Sequence, residues 1–278
     1  MWYAWRVKRS RIIQFQNFIL KWYAKYGRHE LPWRTTSDPY KILVSELMLQ
    51  QTQVDRVIPK YLAFLQKFPT VEVLATASLS DVLQMWQGLG YNRRAKFVWQ
   101  TAQKIVSDFS GSFPSTPEEL QKLPGIGPYT ASAVSTFAFN NPETVIETNI
   151  RAVYILHFFP DRTDVDDLEL LPMISEAIYT KNPREWYAAL MDYGTHLKKV
   201  MPNPSRKSKH HSMQSRFQGS PRQVRGEIIR YLTQNEVLEY SVLKSMIQGK
   251  IAYFDTVLSD LVSEDMVSEL NGVYSLKK

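Results

Sequence analysis

The stretch Leu123-Pro-Gly-Ile-Gly-Pro-Tyr-Thr130 decides the fold of this chain. Glycines at 125 and 127 permit a tight turn with close backbone approach, and Pro128 suits the first turn of a helix running through the small-residue segment Ala131 to Phe139. Upstream, Ser115-Thr116-Pro117-Glu118 carries the capping side chains and the proline of another helix start. Two helices joined by such a turn make a helix-hairpin-helix, whose amides near Gly125, Gly127 and Tyr129 can face a phosphate. A plain interhelical turn tolerates the same residues, but two glycines between two helices favour the DNA reading.

On either side the pattern stays helical. Ile12, Phe15, Ile19, Trp22 and Tyr26 form one apolar stripe at helical spacing, and Ile42, Leu43, Leu49 and Val54 help form another. Ser37-Asp38-Pro39 and Asn182-Pro183 repeat the pairing of a capping side chain with proline, and sustained strand alternation is nearly absent. An almost all-helical body is predicted from about residue 10 to 197. Residues 201–219, rich in Pro, Ser, Asn, Lys and His, read as a basic linker or surface loop. Beyond it, Val224 to Leu232, Tyr240 to Ile247 and Phe254 to Ser263 read as three short helices, and Met266 to Leu276, broken by Asn271-Gly272, as a hairpin. That is the order of a winged-helix domain over 220–278. Its partner is left open between DNA, protein and mere structural support.

The chain of 278 residues has 34 Lys and Arg against 27 Asp and Glu, a net charge of +7 that suits a polyanionic partner. Residues 221–278 hold seven basic and eight acidic side chains, so the excess lies in the first part. The densest run, His196 to Arg216, includes Lys198, Lys199, Arg206, Lys207 and Lys209 and no acid; it reads either as phosphate contact or as a solvated basic loop. With no cysteine there is no thiolate to hold an iron-sulfur cluster, and neither cofactor nor metal is expected. His196, His210 and His211 read as solvated loop histidines rather than metal ligands. No apolar run approaches the roughly 18 residues of a membrane span, and the opening Met-Trp-Tyr-Ala-Trp-Arg lacks the order of a signal peptide. The expectation is a soluble, cytoplasmic monomer, nucleoid-associated in a prokaryote, with no membrane partner.

Glu46 lies in Ser45-Glu-Leu-Met-Leu-Gln-Gln-Thr52 with Ile42, Leu43 and Leu49 at helical neighbour spacings. That semi-apolar setting disfavours the ionised form and prepares an acid. An exposed glutamate on an amphipathic helix is the other reading of the same spacing. Taken in order, Leu31-Pro-Trp-Arg34, Asp38-Pro-Tyr40, the Glu46 segment, Gly88-Leu-Gly-Tyr91, the hairpin and Ala189-Leu-Met-Asp-Tyr-Gly194 resemble adenine DNA glycosylases. These are relatives of endonuclease III in the helix-hairpin-helix superfamily, and the resemblance covers about residues 10–197. It implies an all-α, two-lobed glycosylase fold gripping DNA at a cleft, one lobe spanning 29–138 and the other joining 1–28 to 139–200.

By the same resemblance Glu46 is the general acid that protonates the purine at N7, and Tyr129 stands beside it. Glu147 takes the place of a second carboxylate, and Asn149 orients water or that carboxylate. Gln51 and Thr52 wedge into the base stack and contact the opposite base, Tyr91 lies in the intercalating loop, and Asp192 reads the flipped adenine with Arg34 in the same recognition set. The hairpin amides and Lys198, Lys199, Arg206, Lys207 and Lys209 hold phosphates. Breaking an N-glycosidic bond puts positive charge on the sugar and negative charge on the base, so one acid and one carboxylate suit it. The target must first leave the duplex stack. A lysine at position 129 would permit a Schiff base and strand cleavage; tyrosine there implies base removal alone. The implied activity is a monofunctional glycosylase of base excision repair acting on double-stranded DNA with a damaged or mismatched base, adenine from mispairs first. A thymine or uracil mismatch glycosylase and a non-catalytic mismatch or lesion sensor are the alternatives.

Three features depart from that family. In Val145-Ile-Glu-Thr-Asn-Ile-Arg151, Glu147 stands where the family has aspartate. The extra methylene moves the carboxylate by roughly a bond length, and errors of about 1 Å can cost on the order of a hundredfold in rate. The four cysteines expected after Gly194 are replaced by the basic run, which prolines, lysines and local packing must order. The family's C-terminal module that reads oxidised guanine has no counterpart, and the winged helix replaces it.

Overall fold

The computed structural model describes residues 8–213, 216–247 and 251–277. The N-terminal residues judged against a signal peptide lie outside them. In chain order the helices are α1 (Arg9–Tyr26), α2 (Pro39–Leu49), α3 (Val54–Lys67), α4 (Val71–Thr76), α5 (Leu79–Trp86), α6 (Arg93–Phe109), α7 (Pro117–Leu120), α8 (Pro128–Phe139), α9 (Thr148–Phe158), α10 (Asp167–Glu176), α11 (Pro183–Val200), α12 (Pro221–Gln234), α13 (Tyr240–Met246) and α14 (Phe254–Ser263). The strands are β1 (Leu238–Glu239), β2 (Val267–Leu270) and β3 (Val273–Leu276).

The helix starts follow the punctuation. Asp38 Oδ1 accepts from Tyr40 N at 2.9 Å to open α2, Thr116 Oγ1 from Glu119 N at 3.4 Å to open α7, and Asn182 Oδ1 from Glu185 N at 3.3 Å to open α11. In the hairpin, Gly125 has φ +70°, and a Cβ there would lie 2.2 Å from Cγ of Phe97, so no side chain fits. Gly127 precedes α8 and meets nothing of the protein within 4 Å of its missing Cβ. The helix before the hairpin is the single turn α7, shorter than the capping signal suggested.

Two compact units emerge. The first contains residues 1–42, 115–120 and 127–213; the second contains 43–114, 121–126 and 214–278. This division differs from the predicted lobes: residues 29–42, 115–120 and 127–138 fall in the first unit, and residues 220–278 group with the second instead of standing apart. Residues 29–42 and α8 group with α1 and α9 to α11, because Arg28 and Arg34 pair with Asp192 of α11, while Arg184 donates to Ala138 O at 2.8 Å and, through its backbone, to Asn140 Oδ1. The stretch read as a linker is split. Residues through Met213 pack on the first unit, with Pro204, Ser205 and Ser208 buried and Val165 N donating to Lys207 O at 2.8 Å and Lys209 N to Val165 O at 3.0 Å. Prolines and local packing thus order the cysteine-free run.

In the first unit Ile12, Phe15, Ile19 and Tyr23 form the buried face of α1. The predicted stripe is corrected at its end: Trp22 is half-buried and Tyr26 exposed, because the helix reaches a polar cleft there. In the second unit α3 to α6 pack around Tyr61, Phe64, Leu74 and Trp86. The C-terminal domain has the anticipated three helices and a hairpin whose Asn271 and Gly272 take φ +51° and +78°. The two-residue β1, too short to show alternation, completes an antiparallel sheet of order β1-β3-β2. The mostly helical fold with a winged-helix-like C-terminal part is the predicted class.

Candidate active site

In the first unit the site is built on the start of α9. Glu147 is the N-cap, and its Oε1 accepts from Asn149 N at 2.8 Å and Ile150 N at 2.9 Å. Asn149 Nδ2 donates to Oε2 at 3.1 Å. An N-cap is normally a short side chain; here the longer glutamate folds back onto the first turn, which takes up its additional methylene. Arg151 is drawn aside by a two-pronged pair with Asp167 at 2.7 and 2.6 Å, and among the described residues Glu147 forms no ion pair. Burial raises the Glu147 carboxyl above the usual range against the opposing pull of the two amides, Lys198 and Arg151.

Gly194 explains how α11 reaches this point. A Cβ at 194 would sit 2.3 Å from Asn149 O, so the helix lies directly against the backbone that carries the cap. One turn on, Lys198 is half-buried; burial lowers its pKa and the charge of Glu147 raises it. The lysine expected on the phosphate surface thus also feels the charge of Glu147.

Asp192, also on α11, is 3% exposed. Its Oδ2 accepts from Arg28 N at 2.8 Å, and its Oδ1 from Arg28 Nε at 3.0 Å, Arg28 Nη2 at 2.6 Å and Arg34 Nη2 at 3.3 Å. The carboxylate expected to read a base is thus engaged by two arginines. Arg34 is nearly buried, stands 5.9 Å from the Phe137 ring, and keeps Nη1 buried without a hydrogen-bond partner among the described residues. An orphan guanidinium N–H is costly to leave unmet, so this atom is the better candidate for recognition. At the Arg28–Asp192 pair a cleft of about 570 Å³ is lined by Trp22, Tyr26, Arg28, Asp192, His196 and Lys199.

The basic run is more occupied than its composition suggests. Lys207 Nζ donates to Pro160 O at 2.6 Å, and Lys209 lies 3.4 Å from Asp166. Both, expected as phosphate ligands, fasten the loop, Lys207 through a main-chain carbonyl and Lys209 through Asp166 and Asp164. Arg206 and Lys199 are exposed. His196 packs on Trp22 and Tyr193, whereas His210 faces Asp166 at 3.5 Å, so the histidines are not gathered. The donor set needed for an iron-sulfur cluster does not fit a run of lysine, serine, proline and histidine. Tyr129, in the first turn of α8, is half-buried.

In the second unit Glu46 is 7% exposed on α2, among Leu43, Val44, Leu47 and Met48. Gln51 and Tyr91 occupy the tips of two loops, with left-handed φ of +53° and +50°. Both loops are braced by buried Arg94. Its Nη1 donates to Leu47 O at 2.7 Å, to Met48 O at 3.0 Å and to Gln50 O, while Nη2 donates to Gly90 O at 3.0 Å, Thr52 Oγ1 at 3.1 Å and Leu89 O at 3.2 Å. Burial lowers the Arg94 pKa to about 10. Thr52, expected to wedge between bases, has its hydroxyl in this brace and donates to Leu89 O at 3.3 Å. Sequence reading missed Arg94, Arg28 and the role of Gly194. The only sign of Arg94 was its place three residues after Tyr91.

Residues 44–171 match the family described as HhH-GPD superfamily base excision DNA repair protein. The chain is similar to the adenine DNA glycosylase of Buchnera aphidicola subsp. Baizongia pistaciae, 43% identical over 144 residues, which cover 52% of this chain and 41% of that protein. The human adenine DNA glycosylase is 40% identical over 153 residues, covering 52% and 28%, and that of Mycobacterium tuberculosis is 39% identical over 186 residues, covering 63% and 59%. The chain thus spans between a quarter and three fifths of the length of these relatives. Among solved structures, a thermostable thymine-DNA glycosylase aligns with TM-score 0.61 at 23% identity, over 70% of this chain and 91% of that one. A non-covalent endonuclease III–DNA complex gives 0.60 at 21%, over 70% and 90%. The matched segment contains Glu46, Tyr91, the hairpin, Glu147 and Asn149, so that this part of the chain is similar to the HhH-GPD superfamily of base excision DNA repair proteins and, within it, to the adenine DNA glycosylases.

Proposed function

We propose that this protein is a monofunctional DNA N-glycosylase that removes adenine from mispairs in duplex DNA by acid-assisted hydrolysis, acting as a monomer without a cofactor. The observation that carries the reading is the state of Glu147: a carboxylate fixed by two backbone amides and the Asn149 amide, with the neighbouring arginine diverted to Asp167. A group held this way, against its own desolvation, suits the stabilisation of a cation that forms only in the transition state.

The chemistry follows. Glu46, the acid the resemblance implies, delivers its proton to N7 of the flipped adenine. The C1′–N9 bond breaks with its electron pair going to the protonated base, which leaves neutral. The oxocarbenium sugar is stabilised by the Glu147 carboxylate. Water adds to C1′ and gives up a proton, leaving an abasic site. With tyrosine at 129 no amine attacks C1′, so the strand stays intact.

The test is a single-turnover assay on duplexes with adenine opposite guanine or oxidised guanine, thymine or uracil opposite guanine, and hypoxanthine, with alkali to reveal abasic sites. Adenine release is expected, alkali is needed for scission, and Glu46→Gln and Glu147→Gln each reduce release by at least about a hundredfold while duplex binding persists. Release from thymine or uracil duplexes alone would establish the mismatch-pyrimidine reading. Tight binding with no release would leave a lesion sensor.

A further inference from the structure

Helix α12 of the C-terminal domain runs beside the loops that carry Gln51 and Tyr91 and forms a cleft with them. The cleft holds about 550 Å³, and its walls include Arg56, Arg222, Arg230, Gln87 and the rings of Tyr91 and Phe217. Among the described residues no carboxylate lines it, although residues 221–278 as a whole carry more acid than base. Gln87 Nε2 is a buried donor with no hydrogen-bond partner among the described residues. Arg222 Nη1 donates to Tyr91 Oη at 2.7 Å, and its guanidinium lies 5.6 Å from the centre of that ring. A side chain of the C-terminal domain thus sets the pose of the very tyrosine placed in the intercalating loop.

The customary way for a winged helix to meet DNA, through its third helix, is closed here. α14 carries Asp255 and Asp260, and Glu264 just beyond its end is clasped by Arg93 and Arg225, while Lys96 donates to the Glu264 carbonyl. The exposed face of that helix thus offers DNA carboxylates, and its end at Glu264 is engaged by Arg93 and Lys96 of the rest of the unit. The cationic face of the domain is the one that α12 turns to the cleft.

We infer that this cleft is a nucleotide subsite of the DNA surface, through which α12 gives the C-terminal domain a direct hold on the strand opposite the excised base. The inference rests on the DNA-glycosylase reading above. Its ligand is one nucleotide unit: the phosphate on the arginines, the base against the Tyr91 and Phe217 rings, and an acceptor for the Gln87 amide. Guanidinium, amide and ring faces together are the groups that bind phosphate and stack on bases, and the volume lies within the roughly 300–1,000 Å³ usual for small-ligand sites.

The test uses the full chain and a duplex carrying a tetrahydrofuran abasic-site analogue, with Kd measured by fluorescence anisotropy across a salt series. Arg56→Ala and Arg230→Ala are each expected to weaken binding by about three- to tenfold and to lower the slope of log affinity against log salt by about one, with lysine at either position restoring the slope. In parallel, 5-iodouracil placed in the strand opposite the analogue is expected to photocrosslink to residues 216–230. Unchanged Kd and slope in the alanine variants, or crosslinks confined to residues outside 216–230, overturn the subsite even if the protein excises adenine. Weakened binding with these crosslinks, from a protein that releases no base, upholds the subsite and refutes the catalytic reading. If an alanine variant melts early by circular dichroism, the lysine variants and the crosslink decide.

Discussion

Glu147 has to carry a charge where its surroundings resist one. Burial raises its pKa above the ordinary 4.5, even though two amides, Lys198 and Arg151 pull the other way. A carboxyl raised on folding favours the folded state in its neutral form. That contribution is fully present below the unfolded pKa and is lost as pH rises through the folded value. Above that value the ionised glutamate is a burden on the fold and an asset to the reaction. Glu147→Gln keeps an oxygen to cap α9 and removes the burden, so at pH 8 its melting temperature should exceed that of the native protein by about 2–4 °C, roughly 1 kcal/mol. The gap should shrink as pH falls through the folded value and be gone below the ordinary 4.5, and scanning calorimetry across pH measures it. The native excision rate should fall on the acid side at a pH above the usual glutamate range. Arg94 makes the opposite case, because its stabilising role is not shared with catalysis. One guanidinium serves carbonyls from Leu47 to Gln50 and from Leu89 to Gly90, and a lysine cannot span that fork. Arg94→Lys should destabilise by about 3 kcal/mol or more in urea denaturation. At this scale the sequence showed which side chains could do chemistry, since Glu46, Glu147 and Asn149 stand in recognisable runs. It did not show Arg94, whose acceptors are main-chain groups with no side-chain signature.

Among the elements, the meeting of α9 and α11 fixes the carboxylate. A methyl group at position 194 would sit 2.3 Å from the Asn149 carbonyl, and backbone cannot yield as a flexible side chain can. Gly194→Ala should therefore push back the first turn of α9 and with it the Glu147 cap. The single-turnover rate should fall by at least about tenfold, with a lowered melting temperature. Gly226→Ala in α12 is the useful contrast: nothing lies within 4 Å of its added Cβ, and alanine is the better helix former by about 0.5–1 kcal/mol. Its melting temperature should hold or rise. Helix starts were legible because proline beside a capping oxygen is a local instruction, and the Asn271-Gly272 turn was legible for the same reason. The grouping of α8 with α11 was not. It depends on Arg184 reaching Ala138 and Asn140 across more than forty positions of chain, a pairing that no local pattern announces.

At the scale of the molecule, this chain keeps the superfamily's segment while altering what surrounds it. Residues 201–213, where the resemblance implied cysteines, are tied by Pro204, the Val165–Ser208 bridge and the lysine contacts to Pro160 and Asp166. The loss of cysteine was plain in the sequence; its replacement by packing could be seen only in the fold. Glu264 ties the C-terminal domain to Arg93 and Lys96 of the rest of its unit and, within the domain, to Arg225 of α12. Although burial pushes that carboxyl up, the hydrogen bonds and charges of Arg93 and Arg225 outweigh it and hold it down at about 2. A carboxylate lowered on folding contributes stability that is full above its ordinary 4.5 and is lost as pH falls through the folded value. The attachment should thus persist through mild acid and loosen only near pH 2. Glu264→Gln should loosen it at neutral pH, because an uncharged amide cannot hold two guanidinium groups as a carboxylate does. Hydrogen exchange read by mass spectrometry provides the check: protection in α12 and α14 should drop in the variant at neutral pH, while the buried helices α9 and α11 of the other unit keep theirs. Equal loss in both units would mean that Glu264 supports the fold at large. No loss in either would mean that the apolar contacts of Val257, Leu258 and Leu261 suffice without the ion pairs.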